Sequence, residues 1–373
     1  MEWSPGKRDP GQGEQIRFPG FQAGGRTPQP RKNLTALVLF LMGMISAAMA
    51  AEPVPGTGSG PRNFVFFERQ RQRITEPSFL DNPDLIGAQL KYTWRELEPE
   101  RDRYHFQPVL DDLTFLEKHG KRLFIQIQDV SFDEEVLVPG YLCTDPAFAG
   151  GVARKVAVEN DDESRATFDG WVARRWDPNV RSRFLTLLSE LGKAVDGRIE
   201  GVNLPESSID FGVSGRLFPP GFTCAGYAEA VKEQMSGARR AFPRSVVIQY
   251  ANFMPGEWLP GEDHGFLRSV YAHAASAGVG VGGPDLLPFR KGQQNHGLAL
   301  IASRSPEVRA GLAVQDGNLA EKDPATGRPV QAAVLYRFAR DRLRLDYLFW
   351  GTEEPWYSRE VLPFLRRLRG LGR

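Results

Sequence analysis

Eight short apolar runs, most of them separated by segments with helical spacing, leave this 373-residue chain few folds to choose from. The runs are Asn63 to Phe67, Leu85 to Tyr92, Arg122 to Gln128, Ile199 to Leu204, Ser245 to Tyr250, Gly278 to Gly282, Ala310 to Val314 and Leu343 to Trp350. Helices are expected at Pro108 to His119, Asn179 to Val195, Ala225 to Ala241, Gly265 to Ala277, Gly297 to Ser303 and Gln331 to Asp341, each with apolar residues three and four apart. Buried strands alternating with amphipathic helices make a parallel sheet with helices packed outside. Eight such strands predict an α/β fold, a single (β/α)8 barrel with long βα loops, filling residues 63–373. Two stretches depart from the repeat. The connection Thr75 to Asp84 is short and broken by proline, and Phe132 to Asp177 is a long Gly/Asp-rich insertion. Long loops at the C-terminal ends of barrel strands are where sites are built.

Residues 1–50 read as an address rather than as fold. A basic, Gly/Pro-rich leader ending at Arg31 and Lys32 precedes the apolar run Leu34 to Met49, and Ala48-Met49-Ala50 matches a signal-peptidase site. The expected mature chain begins near Ala51, with 51–62 as a linker, and is periplasmic or secreted with no membrane attachment after cleavage. The alternative is an uncleaved anchor, because the run approaches the roughly 18 residues at which spanning becomes feasible. Removing residues 1–50 takes away six Lys/Arg and three Asp/Glu, leaving 41 against 43. That near-neutral balance, without a Lys/Arg block interleaved with aromatics, argues against a nucleic-acid partner. Arg366, Arg367 and Arg369 read as the solvated face of a last helix, and the chain is expected to be a monomer. The two cysteines, Cys143 and Cys224, fall in the loops after the third and fourth barrel strands. In an oxidising compartment they either pair or remain as two free, half-buried thiols.

In a barrel the informative residues lie at the strand ends. The first strand ends at Glu68 and Arg69, the second at Lys91, Tyr92 and Trp94, and the third at Gln126, Gln128 and Asp129. The fourth ends at Asn203, Leu204, Pro205 and Glu206, the fifth at Tyr250 and Asn252, and the sixth at Asp285. The seventh ends at Gln315 and Asp316, and the eighth at Trp350, followed by Glu353 and Glu354.

The segment Trp94-Arg95-Glu96-Leu97-Glu98-Pro99 followed by Tyr104-His105-Phe106, the run Trp176 to Val180 leading into a helix, Glu206 after strand four and Trp350 after strand eight together resemble the (β/α)8 glycoside hydrolase superfamily, clan A. The resemblance implies a barrel fold, a carbohydrate substrate, a Glu acid/base after strand four and a Glu nucleophile after strand seven. The chain departs from that pattern twice. Asn203 is separated from Glu206 by two residues instead of preceding it, and strand seven delivers Gln315 and Asp316 with no Glu.

Glycoside cleavage uses one carboxyl to protonate the leaving oxygen and a second to attack the anomeric carbon or activate water. Glu206 is the first candidate; a barrel mouth lined with aromatics would raise its pKa as a general acid requires. Its alternative role is a rim carboxylate salt-bridged to an arginine. Asp316 is the first choice for the second carboxyl by strand position, with Asp129, Asp285 and Glu353 as the other candidates, and the stereochemistry stays open. Pyranose faces stack on flat rings while polar neighbours bond the hydroxyls. Tyr92, Trp171, Trp176, Tyr250 and Trp350 are therefore stacking candidates, whereas Trp94 and Phe106 are assigned to turn packing. The expected substrate-binding set is Lys91, Tyr92, Gln128, Asp129, Asn203, Tyr250, Asn252, Asp285, Gln315 and Trp350. His105, His119, His264, His273 and His296 are scattered without metal-ligand spacing, so neither a metal nor a cofactor is expected. The glycines from Gly278 to Gly283 belong to a strand in a crowded barrel, with no phosphate-loop Lys-Ser/Thr after them. The expected function is an exported glycoside hydrolase acting on a poly- or oligosaccharide, and the rival is a non-catalytic carbohydrate-binding barrel.

Overall fold

A computed structural model describes residues 60–158 and 162–371. The expected leader, the apolar run, the cleavage at Ala50 and most of the linker lie outside the described residues. The strands in chain order are β1 (Arg62–Phe66), β2 (Gly87–Thr93), β3 (Arg122–Gln128), β4 (Val152–Ala157), β5 (Thr167–Ala173), β6 (Gly201–Leu204), β7 (Val246–Tyr250), β8 (Gly280–Gly283), β9 (Ala310–Val314) and β10 (Tyr347–Gly351). Eight of them, all but β4 and β5, close into a parallel barrel in which β1 joins β10 on one side and β2 on the other. These eight are the eight apolar runs, shifted at their ends by a few residues. Among the described residues no helix is long and apolar enough to cross a membrane.

Side chains alternate along each strand, so every second residue faces the barrel axis. The inward set Phe64, Phe66, Phe124, Ile248, Tyr250, Ala313, Tyr347 and Phe349 packs into one closed apolar cluster. Its rings meet edge to face, Phe64 on Phe124 at 5.6 Å and Phe124 on Phe349 at 5.0 Å. The outward set, including Val65, Leu90, Ile125, Val202, Val247, Val281, Leu312 and Leu348, joins the larger core beneath the helices. The aromatic plug closes the barrel from below and leaves its C-terminal mouth open to polar side chains.

The helices Gln107–Lys118, Pro178–Val195, Cys224–Ala241, Phe266–Ala277 and Gly297–Ser303 match the expected spans closely. The helix expected over Gln331 to Asp341 is instead Ala332–Arg337, running on as a wider turn at Phe338–Arg342. The connection after β1 holds only the short turns Arg71–Thr75 and Pro77–Leu80, as its proline foretells. In the insertion between β3 and helix Pro178–Val195, β4 and β5 form an antiparallel hairpin. Asp177 ends that insertion by accepting from the backbone N–H groups of Asn179 and Val180, the cap that starts the next helix.

Cys143 and Cys224 are both free, so of the two alternatives the unpaired one is found. Cys143 is exposed on the short helix Gly140–Thr144, whereas the Cys224 sulfur packs against Gly256 in the loop after β7. Partial burial raises the pKa of both thiols and keeps them protonated.

Candidate active site

At the C-terminal mouth a cavity of about 300 Å³ is lined by Lys91, Gln126, Gln128, Phe132, Glu206, Tyr250, Asn252, Phe253, Asp285 and Gln315, among others. A larger hollow, about 380 Å³, lies at the opposite end of the barrel and is bordered by Arg239, Arg244 and Arg309. Its guanidinium groups are already engaged, Arg244 by Asp196, Arg309 by Asp346 and Arg239 by the Phe242 carbonyl. The mouth, by contrast, keeps unengaged polar groups.

Glu206 is fixed through its backbone. Arg175 Nη1 donates to the Glu206 carbonyl at 2.6 Å, the Ser207 N–H donates to the Tyr250 carbonyl at 2.8 Å, and Ser207 Oγ donates to the Phe253 carbonyl at 2.6 Å. The half-buried carboxylate itself accepts from Asn252 Nδ2 at 3.1 Å. Burial raises its pKa, and the nearby charge of Asp285 adds to the rise; the Asn252 hydrogen bond and the charges of Lys155 and Arg175 oppose it. A carboxyl held in this balance can keep a proton above the ordinary carboxylate range.

Asp285 lines the same cavity from the loop after β8. Its Oδ1 accepts from Gln315 Nε2 at 3.0 Å and Asn318 Nδ2 at 2.8 Å, while the Leu286 N–H fixes the Asn318 amide by donating to its Oδ1 at 2.8 Å. Below the two carboxylates, Gln89 Oε1, Gln126 Oε1, Asn252 Oδ1 and both amide atoms of Asn203 are buried with no hydrogen-bond partner. Buried polar atoms are seldom left unpaired because the loss costs about 1–3 kcal/mol each. Of these residues Gln126 and Asn252 line the cavity, where their amides can bond the hydroxyls of a sugar ring, while Gln89 and Asn203 lie buried behind the cavity wall.

Of the expected binding residues, Lys91, Gln128, Tyr250, Asn252, Asp285 and Gln315 line the cavity. Asn203 faces the barrel interior from β6 but is fully buried and does not reach the cavity wall. Three other expectations are corrected. Tyr92 points outward, fully buried, and its hydroxyl donates to Asp112 at 2.7 Å. Trp350 also points outward, with Nε1 donating to Asn63 Oδ1 at 2.9 Å. Each sits beside an inward residue, Lys91 and Phe349, so alternation alone turns it away. Asp129 is buried in a two-pronged ion pair with Arg175, whose Nε donates at 2.8 Å, and no carboxylate oxygen is left for a ligand.

Asp316 is exposed and lines a separate, smaller hollow with Glu68, Arg73 and Glu353. Partial burial raises its pKa, and the charges of Glu353 and Glu68 add to the effect. Phe66 belongs to both the hollow and the cavity and stands between Asp316 and Glu206. Of the proposed stacking rings only Tyr250 reaches the cavity; Trp176 instead packs edge to face on Phe211 and Phe222. The other cavity rings are Phe66, Phe132 and Phe253, none of which its sequence context singles out.

Two cations that support the site come from the insertion. Lys155 on β4 is 2% exposed, donates to Asp169 at 3.2 Å and lies 3.8 Å from the centre of the Phe132 ring. Burial lowers its pKa, while the charges of Asp169 and Glu206 act in the other direction. Arg175 follows β5 and ties Asp129, Tyr227 and the Glu206 backbone together. Among the described residues no group of three or more His, Cys, Asp or Glu could hold a metal ion.

No protein-family model matches this chain, and no curated protein matches its sequence. Solved structures match its architecture. The catalytic domain of β-amylase from Paenibacillus polymyxa aligns with a TM-score of 0.51 at 7% identity, covering 79% of this chain and 93% of that one. A GH10 endoxylanase from a sugarcane soil metagenome aligns at 0.47 with 14% identity, covering 80% and 89%. Native xylanase 10B from Thermotoga maritima aligns at 0.44 with 11% identity, covering 80% and 86%. Identity this low speaks to fold alone: the β-amylase domain shares the architecture seen here, and the chain is a (β/α)8 barrel.

Proposed function

We propose that the protein is a glycoside hydrolase acting on a poly- or oligosaccharide, with Glu206 as acid/base and Asp285 as the partner carboxylate. The observation that carries this reading is the shared cavity, which brings together Glu206, its pKa raised by burial, and Asp285, held by the amides of Gln315 and Asn318. In the reaction Glu206 gives its proton to the leaving oxygen as the glycosidic C–O bond breaks. On one course Asp285 bonds the anomeric carbon as that bond breaks, and a water that gives its proton back to Glu206 then displaces the carboxylate and frees the sugar; on the other Asp285 takes a proton from the water that attacks the anomeric carbon directly. Asp316, favoured by strand position, is the alternative partner for a substrate that reaches past Phe66 into the neighbouring hollow.

A second reading is a carbohydrate-binding barrel without turnover, and Gln315 favours it: an amide stands at the end of β9, where the related barrels carry a nucleophile. Reducing-end release from xylo-, malto- and cello-oligosaccharides separates the two. Glu206→Gln should abolish release while binding persists; undiminished turnover in that variant would refute the acid/base assignment. Export completes the proposal. N-terminal sequencing of protein recovered outside the cytoplasm should begin near Ala51, and a start that retains Leu34 to Met49 would contradict cleavage.

A further inference from the structure

Only three large apolar side chains stand out as strongly exposed among the described residues, Phe132 at 64%, Val213 at 62% and Trp258 at 56%. Two of them flank the cavity. Phe132 follows β3 and lines the cavity directly, while Trp258 follows β7 and stacks on Phe253, itself a cavity residue. The Phe253 and Trp258 rings are parallel to within 5°, with centroids 5.7 Å apart, so the aromatic surface continues outward from the cavity wall. Glu206 follows β6, the strand between β3 and β7 in the barrel, and therefore lies between the two rings.

Neither ring is a loose surface side chain. The Trp258 backbone exchanges hydrogen bonds with Glu262 at 2.9 and 2.8 Å, and its indole lies 4.7 Å from the His296 ring. His296 is buried and held at both nitrogens, by the Leu259 N–H at 2.8 Å and the Gly292 carbonyl at 2.8 Å. Gly292 passes beneath the indole, where a Cβ would come within 3.1 Å of it. Phe132 is anchored through its neighbour: the Ser131 N–H donates to the Trp171 carbonyl at 2.8 Å, and the Trp171 N–H donates to Ser131 Oγ at 3.0 Å. Lys155 lies against the Phe132 ring. Rigid rings exposed beside a polar cavity suit the flat faces of pyranoses, which stack without paying for side-chain ordering.

We propose that Phe132 and Trp258 are stacking platforms on either side of Glu206, so that the ligand is a linear glycan bound along several sugars. This rests on the glycan reading of the cavity. The test uses Trp fluorescence titration in the Glu206→Gln background, with xylo-, malto- and cellohexaose and the matching disaccharides as probes. At least one hexasaccharide should shift the emission. Trp258→Ala and Phe132→Ala should each weaken its binding by roughly tenfold while leaving the disaccharide unchanged. Trp258→Tyr should restore most of the loss, and thermal melting should stay at the parent value. Equal weakening for short and long probes, no weakening for either, or no hexasaccharide binding would overturn the proposal. Turnover is not part of the readout, so loss of the catalytic assignment and loss of the platforms are told apart.

Discussion

Glu206 feels burial raising its proton affinity and an amide and two cations lowering it, and burial prevails. Its pKa in the folded state therefore lies above that of the unfolded chain, about 4.3 for an ordinary Glu. Its contribution to stability is fully present below that unfolded value and is lost as pH rises through the raised folded one. Glu206→Gln should accordingly melt higher than the parent at pH 7, with the gap closing near pH 4; an unchanged gap across that range would contradict the raised pKa. The alkaline limb of kcat/KM should follow the same group, since the protonated form does the work. Arg175 and Asp129 act differently: each is buried, and removing one strands the other's charge at a cost of about 3–5 kcal/mol. The candidate acid could be located from its strand end; the orientations of Tyr92 and Trp350 were harder to read. In β2 the polar Gln89 and Lys91 alternate with Leu90 and Tyr92 and mark the inward face, a signal that the aromatic character of Tyr92 overrode, whereas β10 is apolar on both faces and carries no such alternation.

The eight barrel strands were legible because each is a short apolar run bounded by polar or glycine-rich turns. Hairpin β4–β5 was not, because its run is interrupted by charged residues, Lys155 paired with Asp169 and Arg154 lying over the Phe168 ring. Strand β8 makes the opposite point, since its glycines read correctly as a response to crowding. A Cβ on Gly282 would fall 2.0 Å from the Gly311 carbonyl oxygen and 3.1 Å from Ile248. Gly282→Val should therefore cost at least about 1–3 kcal/mol in urea denaturation, because the barrel wall has no slack to absorb it. A loss below about 0.5 kcal/mol, the scale of an ordinary surface change, would mean that the wall yields.

Across the whole molecule, fold and chemistry separate cleanly. The barrel follows from the strand repeat and is shared with a protein of 7% identity, whereas the proposed function rests on a few groups gathered at the mouth. Those groups include the pair Glu206 and Asp285, the amides of Gln126 and Asn252 and two cations from the insertion. The most direct test is a structure of Glu206→Gln bound to a hexasaccharide that the protein retains. A glycosidic oxygen within hydrogen-bonding distance of the residue 206 amide, with its anomeric carbon facing Asp285, is the predicted result. A sugar bound away from residue 206, or one whose anomeric carbon faces Asp316 beyond Phe66, would contradict it.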